Sequence, residues 1–397
     1  MNVKIRPCIA IVGGVLCAAA NAQNSGLTQV APADNSALTA KVGKSSVTLY
    51  GLIEPTISDI DHSTAANGKQ LSYQDSWFSA SRLGFLGTHP LGQGDLDAIF
   101  KLEAEYLPRN GNMGTANVLF NRDAWAGLSS ATFGKLTFGR QNTVARDFSA
   151  IYGDPYGSAV VSTEEGGYTN QNNFKILVNY AGSATGSRMD NGVVWKKVWD
   201  NGLAAGLGFQ FGGVAGNLQR GQTKAGALGY NGGPFHVAGY YTEANVTGHT
   251  DRSYSVGANY DMGLFRLGGG YYHYTGTQSP KFVTSRSDKA YTAHIKFSPA
   301  GKIDYTLGYL TIRAKNAGSD AAGNVINVFA DPAAATVTKL VSGDRDTIYG
   351  AVVYHFDKTS DIYVAADHLR LTDGYRVSTA PNSTTQNEYA IGLRYKF

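Results

Sequence analysis

The sequence predicts an all-β chain, a 16-stranded antiparallel transmembrane β-barrel with one long connection folded into its lumen. Three observations carry this. Short segments alternate apolar and polar residues with period two along most of the chain. Many are joined in pairs by tight turns rich in Asn, Asp and Gly. Glycine (49) and tyrosine (24) are abundant, and no apolar run of about 20 residues follows the N-terminal segment, so lipid contact falls to strands in which only every second residue faces outward.

Residues 1–22 read as a secretory signal peptide: Lys4 and Arg6, an apolar run from Cys8 to Ala20, then Ala20-Asn21-Ala22. Cleavage after Ala22 removes Cys8 and Cys17, so no disulfide, zinc-thiolate or cysteine nucleophile is expected in residues 23–397. It also removes two of 34 basic residues, leaving a small positive excess over the 30 acidic ones and no sign of nucleic-acid binding. Residues 23–44 are small, polar and turn-rich, and are expected to be a flexible periplasmic lead-in to a barrel over 45–397.

The first five strands are expected at Ser46–Ile53, Ser81–Gly87, Asp97–Tyr106, Val118–Leu128 and Gly134–Gln141. The third is the clearest: Phe100, Leu102, Ala104 and Tyr106 share one face, Lys101, Glu103 and Glu105 the other. In a soluble sandwich the charges would face out; in a barrel lipid takes the apolar side and the wet lumen takes the charges. Hairpins follow: Asp190–Val198 with Leu203–Phe211, Gln222–Tyr230 with Phe235–Glu243, and Arg252–Tyr260 with Leu264–Tyr274. Two more are Arg286–Phe297 with Ile303–Ala314, and Asp346–Phe356 with Asp361–Leu371. The last strand, Glu388–Phe397, turns Tyr389, Ile391, Leu393, Tyr395 and Phe397 to lipid and Arg394 and Lys396 inward. Tight turns at one rim and long connections at the other is the asymmetry of outer-membrane barrels. Tyr50, Tyr106, Trp125, Tyr241, Tyr271, Tyr354, Tyr389 and Tyr395 are expected in interfacial girdles.

The pattern lapses over residues 142–187, which carry Asp147, Asp154, Glu164 and Glu165. A connection this long is either functional or disordered. Folded inward it narrows the lumen, and it is read here as a constriction loop. Phe174–Tyr180, apolar enough to be a strand, would make the count odd and is kept in that loop.

Ser46–Gly51, Ser81–Gly84, Leu119–Arg122, Ala126–Ser129, Phe133–Gln141 and the terminal Tyr395-Lys396-Phe397 resemble the Gram-negative general porins of the neisserial and beta-proteobacterial type. The resemblance implies a sixteen-stranded barrel, a homotrimer in the outer membrane and a third long loop folded into each pore. It implies passive diffusion of small hydrophilic solutes and ions, with no cofactor, metal or enzymatic activity. It also makes Phe397 part of the signal read by the barrel-assembly machinery, and places Arg82 and Arg122 at wall-arginine positions. The long polar lead-in departs from the family's usual few residues, and the late loops show no close match.

The expected selectivity groups are basic residues on the wall, Arg82, Lys101, Arg122 and Arg140, opposed across the opening by Asp147, Asp154, Glu164 and Glu165. Fixed charges in a narrow, low-dielectric lumen dominate its field. Lys101 rests on alternation alone, and strict alternation from Leu136 and Phe138 turns Arg140 outward. The plainer reading is that these side chains keep the lumen wet or pair with Glu103 and Glu105. A substrate-specific channel remains an alternative. A barrel enzyme, with His89 and His273 as loose candidates, and a secreted β-rich adhesin are weaker ones. No G-x-S-x-G elbow, phosphate loop or metal-ligand spacing supports chemistry.

Overall fold

In the computed structural model, described for residues 38–165, 173, 176–246, 248–277, 284–299, 301–329, 337–377 and 380–397, the chain is a closed antiparallel barrel. The expected signal peptide and most of the expected lead-in, within residues 1–37, lie outside the described residues. Twenty strand segments are present: β1 (Thr39–Val42), β2 (Ser45–Ile53), β3 (Thr56–Ile60), β4 (Gln70–Gln74), β5 (Arg82–Pro90), β6 (Asp97–Leu107), β7 (Asn112–Met113), β8 (Asp123–Ser130), β9 (Gly134–Asn142) and β10 (Arg188–Val198). There follow β11 (Leu203–Gln210), β12 (Thr223–Gly232), β13 (Phe235–Val246), β14 (His249–Asp261), β15 (Phe265–Gly276), β16 (Arg286–Phe297), β17 (Ile303–Ser319), β18 (Lys339–His355), β19 (Ser360–Leu371) and β20 (Thr385–Lys396).

These make sixteen staves. β2 and β3 form the first, broken at Glu54-Pro55, because proline cannot donate to the ladder. β4 and β5 form the second, broken over residues 75–81. The barrel closes where β20 pairs with β3 (Glu388↔Ile60 to Gly392↔Thr56) and β2 (Leu52↔Lys396). Gly51 and the terminal Phe397 then exchange two backbone hydrogen bonds, of 2.9 and 3.1 Å. A Cβ on Gly51 would lie 2.3 Å from the Phe397 ring, so only glycine admits it. Within the expected lead-in, β1 pairs with β2 (Thr39↔Thr48 to Val42↔Ser45), covering the edge that β20 leaves open beyond its end.

Outward residues follow the predicted alternation. Leu207, Leu228, Val256, Leu307, Val364 and Ile391 are among many large apolar side chains left exposed on the outer face. Tyr241, Tyr354, Tyr389 and Tyr395 face outward with them. Tyr50 and Trp125 do not: both are buried on the inner side, because each finds a carboxylate there, Glu103 and Glu165 respectively. The fourth predicted strand starts five residues late, at Asp123, because residues 115–121 turn back on themselves through Asn117, at φ 61°.

The inner face is less uniformly wet than alternation implies. The described part of residues 143–187 lies inside the barrel and begins with a helix, α1 (Val144–Gly153), every residue of which is buried. Thr143 caps it, accepting the Arg146 amide at 3.0 Å, and Asp147 sits in its first turn, where the helix dipole favours negative charge. Val144, Phe148, Ile151 and Tyr152 form an apolar stripe against the inner faces of β11–β15. That wall is built from small residues, Ala225, Ala227, Ala238, Gly257 and Gly270. A Cβ on Gly257 or Gly270 would lie 2.3 Å from Tyr152, so the bare backbone is what seats this ring. The segment returns through a 3-10 helix, Ile176–Ala181, and Thr143 Oγ1 donates to Ala181 O at 2.5 Å, tying its two ends together.

A second buried cluster forms where the break in the second stave dips inward. Glu54 accepts the backbone amides of Trp77, Phe78 and Ser79 at 2.9, 2.5 and 2.8 Å, and the Tyr363 hydroxyl at 2.9 Å. Tyr156, beyond α1, packs edge-on against Phe78 with ring centres 4.4 Å apart. The inward segment is thereby held on opposite sides of the barrel.

Candidate functional site

The wall between β2 and β10 carries the expected basic residues. Alternation on β6 turns Lys101, Glu103 and Glu105 inward, and the neighbouring staves bring Arg82, Arg122 and Asp123 beside them. Glu103 is the hub: it accepts from Arg122 Nε at 2.5 Å and Tyr50 Oη at 2.8 Å, with Arg82 at 3.8 Å and Lys101 at 3.7 Å. Arg122 also reaches Glu105 at 3.1 Å. Lys101 bonds Asp123 at 2.9 Å, and Asp123 faces Arg188 of β10 at 3.5 Å.

The inward segment joins this wall by direct contact. Glu165 pairs with Lys101 and accepts the Trp125 indole at 3.0 Å. Glu164 pairs with Lys135 at 3.1 Å and Asp147 with Lys196 at 2.8 Å. Asn142 is the bridge: its oxygen accepts from Arg188 at 3.3 Å and its amide donates to Asp147 at 2.9 Å. Lys196 closes the chain by donating to Glu164 O at 2.9 Å. One unbroken network therefore runs from Tyr50 to Lys135. It holds six basic side chains, Arg82, Lys101, Arg122, Lys135, Arg188 and Lys196, and six acidic ones, Glu103, Glu105, Asp123, Asp147, Glu164 and Glu165. Arg146 of α1 lies within the fields of Arg188 and Arg122 and of Asp147 and Asp123.

Three expectations need correction. The acidic residues do not stand across an opening from the wall; Asp147, Glu164 and Glu165 touch it, because paired charges tolerate a low-dielectric interior that single ones do not. Arg140 lies on the outer side of β9, as strict alternation requires, where it pairs with Asp190 and donates to Asn121 O at 2.7 Å. Asp154 ends α1 and accepts the Tyr156 amide at 2.9 Å, remote from the network. Lys135, Lys196 and Asp123 were missed, although the alternation that found Lys101 selects them too. Arg146 was missed because it requires α1, and the spacing Val144, Phe148, Ile151, Tyr152 was its signal.

A sixteen-stave barrel with an apolar outside, a charged inner wall and a segment drawn into its lumen defines the class of transmembrane β-barrel proteins of the porin type. A family model described as Gram-negative porin matches residues 8–397, and the chain belongs to that family. Its location is accordingly the outer membrane. It is 30% identical over 263 residues to an outer membrane porin protein of Bordetella pertussis, covering 57% of this chain and 64% of that one. It is 28% identical over 241 residues to outer membrane porin protein 32 of Delftia acidovorans, with the same coverage. The chain thus spans just under two thirds of the length of these relatives. Among solved structures, the anion-selective porin from Comamonas acidovorans has a TM-score of 0.67 at 20% identity, over 89% of this chain and all (100%) of that one. OmpT of Vibrio cholerae has a TM-score of 0.63 at 17% identity, over 90% of this chain and 100% of that one. At these identities the likeness concerns the fold.

Proposed function

We propose that the protein is a passive diffusion channel for small hydrophilic solutes and ions, mildly anion-selective, with residues 142–187 as its constriction. The observation that carries this reading is the ion-pair network between wall and inward segment, which holds six basic and six acidic side chains. Near-balance argues for mild selectivity, since paired charges cancel at a distance and the narrow lumen focuses only what they leave. The Comamonas porin, described as anion-selective, supports the sign. Transport needs no reaction, so no catalytic residue or cofactor enters. Homotrimeric assembly is part of the proposal; a solved OmpT structure of Vibrio cholerae is described as a trimer form. Export on residues 1–22 and reading of Phe397 by the assembly machinery complete it.

The test is conductance of the purified protein in a planar bilayer under a potassium chloride gradient. Discrete conductance steps with a reversal potential of anionic sign are expected. Absence of steps removes the channel, and a cationic sign removes the selectivity.

A further inference from the structure

A cavity of about 210 Å³ lies at the long-loop end of the barrel and shares no residue with the ion-pair network. It is lined by Asn173, Ile176, Asn179 and Tyr180 of the inward segment, by wall strands among β16–β20, and by parts of two long connections, Asn324–Val328 and Tyr375–Val377. Three arginines line it, Arg286, Arg345 and Arg376, and among the described residues no carboxylate does. Arg286 is held from behind by Asp288 at 2.7 Å. Asp367 stands behind Arg345 but is itself bonded to Asn173 at 3.0 Å. Among the described residues, Arg376 donates to the backbone oxygens of Asp373 and Tyr375. The lining therefore keeps a positive excess.

Two of its polar groups are unfinished. Arg345 donates through Nη2 to Asn173 at 3.0 Å, while its buried Nε has no hydrogen-bond partner among the described residues. The buried Tyr375 hydroxyl has none among them either, and it lies within the fields of Arg286 and Arg345 as well as of Asp288 and Asp344. Buried donors in folded proteins are nearly always satisfied, so two such groups on one cavity mark a place for an acceptor. The rest of the lining is aliphatic, with Ile312, Leu369 and Leu371 prominent. A hydrated inorganic anion gains nothing from that surface; an anion with an apolar body does.

We propose that this cavity binds a small organic carboxylate, its head on Arg345 Nε and the Tyr375 hydroxyl and its body, about one ring in size, against the aliphatic wall. A dry cavity of ~150 Å³ accepts benzene, which sets the scale. As a solute site the proposal rests on the channel reading, but binding is measurable without conduction.

The experiment is calorimetric titration of the full chain in detergent with benzoate, acetate and benzyl alcohol, in a chloride buffer. Benzoate is expected to bind at least about tenfold more tightly than the acid without a ring or the ring without a charge. Arg345→Gln and Tyr375→Phe should each weaken benzoate by roughly tenfold, while Arg252→Gln, on the outer face, should not. Tyr375→Phe removes one oxygen from a connection and keeps the test valid if Arg345→Gln misfolds. Equal affinity for the three probes, or benzoate binding undiminished in both cavity variants, overturns the proposal. Bilayer conductance on the same samples separates the readings: steps without benzoate binding remove the site alone, and binding without steps removes the channel alone.

Discussion

Glu103 is the residue on which the wall charges depend. Buried between Arg82, Lys101 and Arg122, it neutralises cations that would otherwise repel one another. Removing one partner of a buried pair leaves an uncompensated charge, a cost of about 3–5 kcal/mol. Glu103→Gln should therefore lower the thermal unfolding midpoint and raise anion preference together, read by circular dichroism and by reversal potential. Arg82→Gln with Arg122→Gln should move the reversal potential the other way. Unchanged selectivity in both variants would separate these side chains from the opening. At the short-turn end, Asp357 accepts the Thr359 amide at 2.7 Å, the Thr359 hydroxyl at 2.8 Å and the Ser360 amide at 2.8 Å. The Thr359 amide, first among these donors, holds its carboxyl below the ordinary range. A lowered folded pKa stabilises the turn above the unfolded carboxylate range and ceases to do so as pH falls through the lowered value. The protection factor of the Thr359 amide, its exchange relative to the intrinsic rate at each pH, should fall over that acid window, and Asp357→Asn should remove that change.

In the proposed channel, helix α1 is the element that turns an open cylinder into a restricted one. Its apolar stripe is bound by Gly257 and Gly270, against which Tyr152 lies flat, and its capping Thr143 ties back to Ala181. Tyr152→Ala should cost about 3–5 kcal/mol, as for other large-to-small aromatic changes, and loosen the helix from β14 and β15. Larger conductance steps with a lower unfolding midpoint are expected; smaller or identical steps would show that the segment does not limit the opening. The staves themselves were legible because lipid and lumen impose period two, visible in runs such as Tyr254, Val256 against Ser253, Ser255. The helix was not read, although its four-residue spacing is present, because a lapse in strand alternation looks the same for a loop as for a helix. The breaks at Glu54-Pro55 and residues 75–81 were equally hidden, since Glu54 is satisfied by amides that arrive only when the second stave folds inward.

At the scale of the whole molecule, closure joins the last residue to the first stave. Phe397 bonds Gly51 in both directions and rests on it without a side chain between. Phe397→Ala should slow assembly, read as a smaller heat-modifiable fraction on gels after refolding into vesicles; unchanged yield would deny the terminal ring that role. The outward apolar surface, from Leu207 round to Ile391, makes detergent a requirement for solubility of the folded chain. The sequence by itself determined most of the strand segments, the outward belt and the inward position of Lys101, because each follows from periodicity along one segment. Only the tertiary structure decided that Asp147, Glu164 and Glu165 pair with the wall, that Asp154 lies elsewhere, and that part of the inner wall is apolar. Those outcomes depend on which staves meet across the interior, and a buried charge takes whatever partner that closure brings within reach.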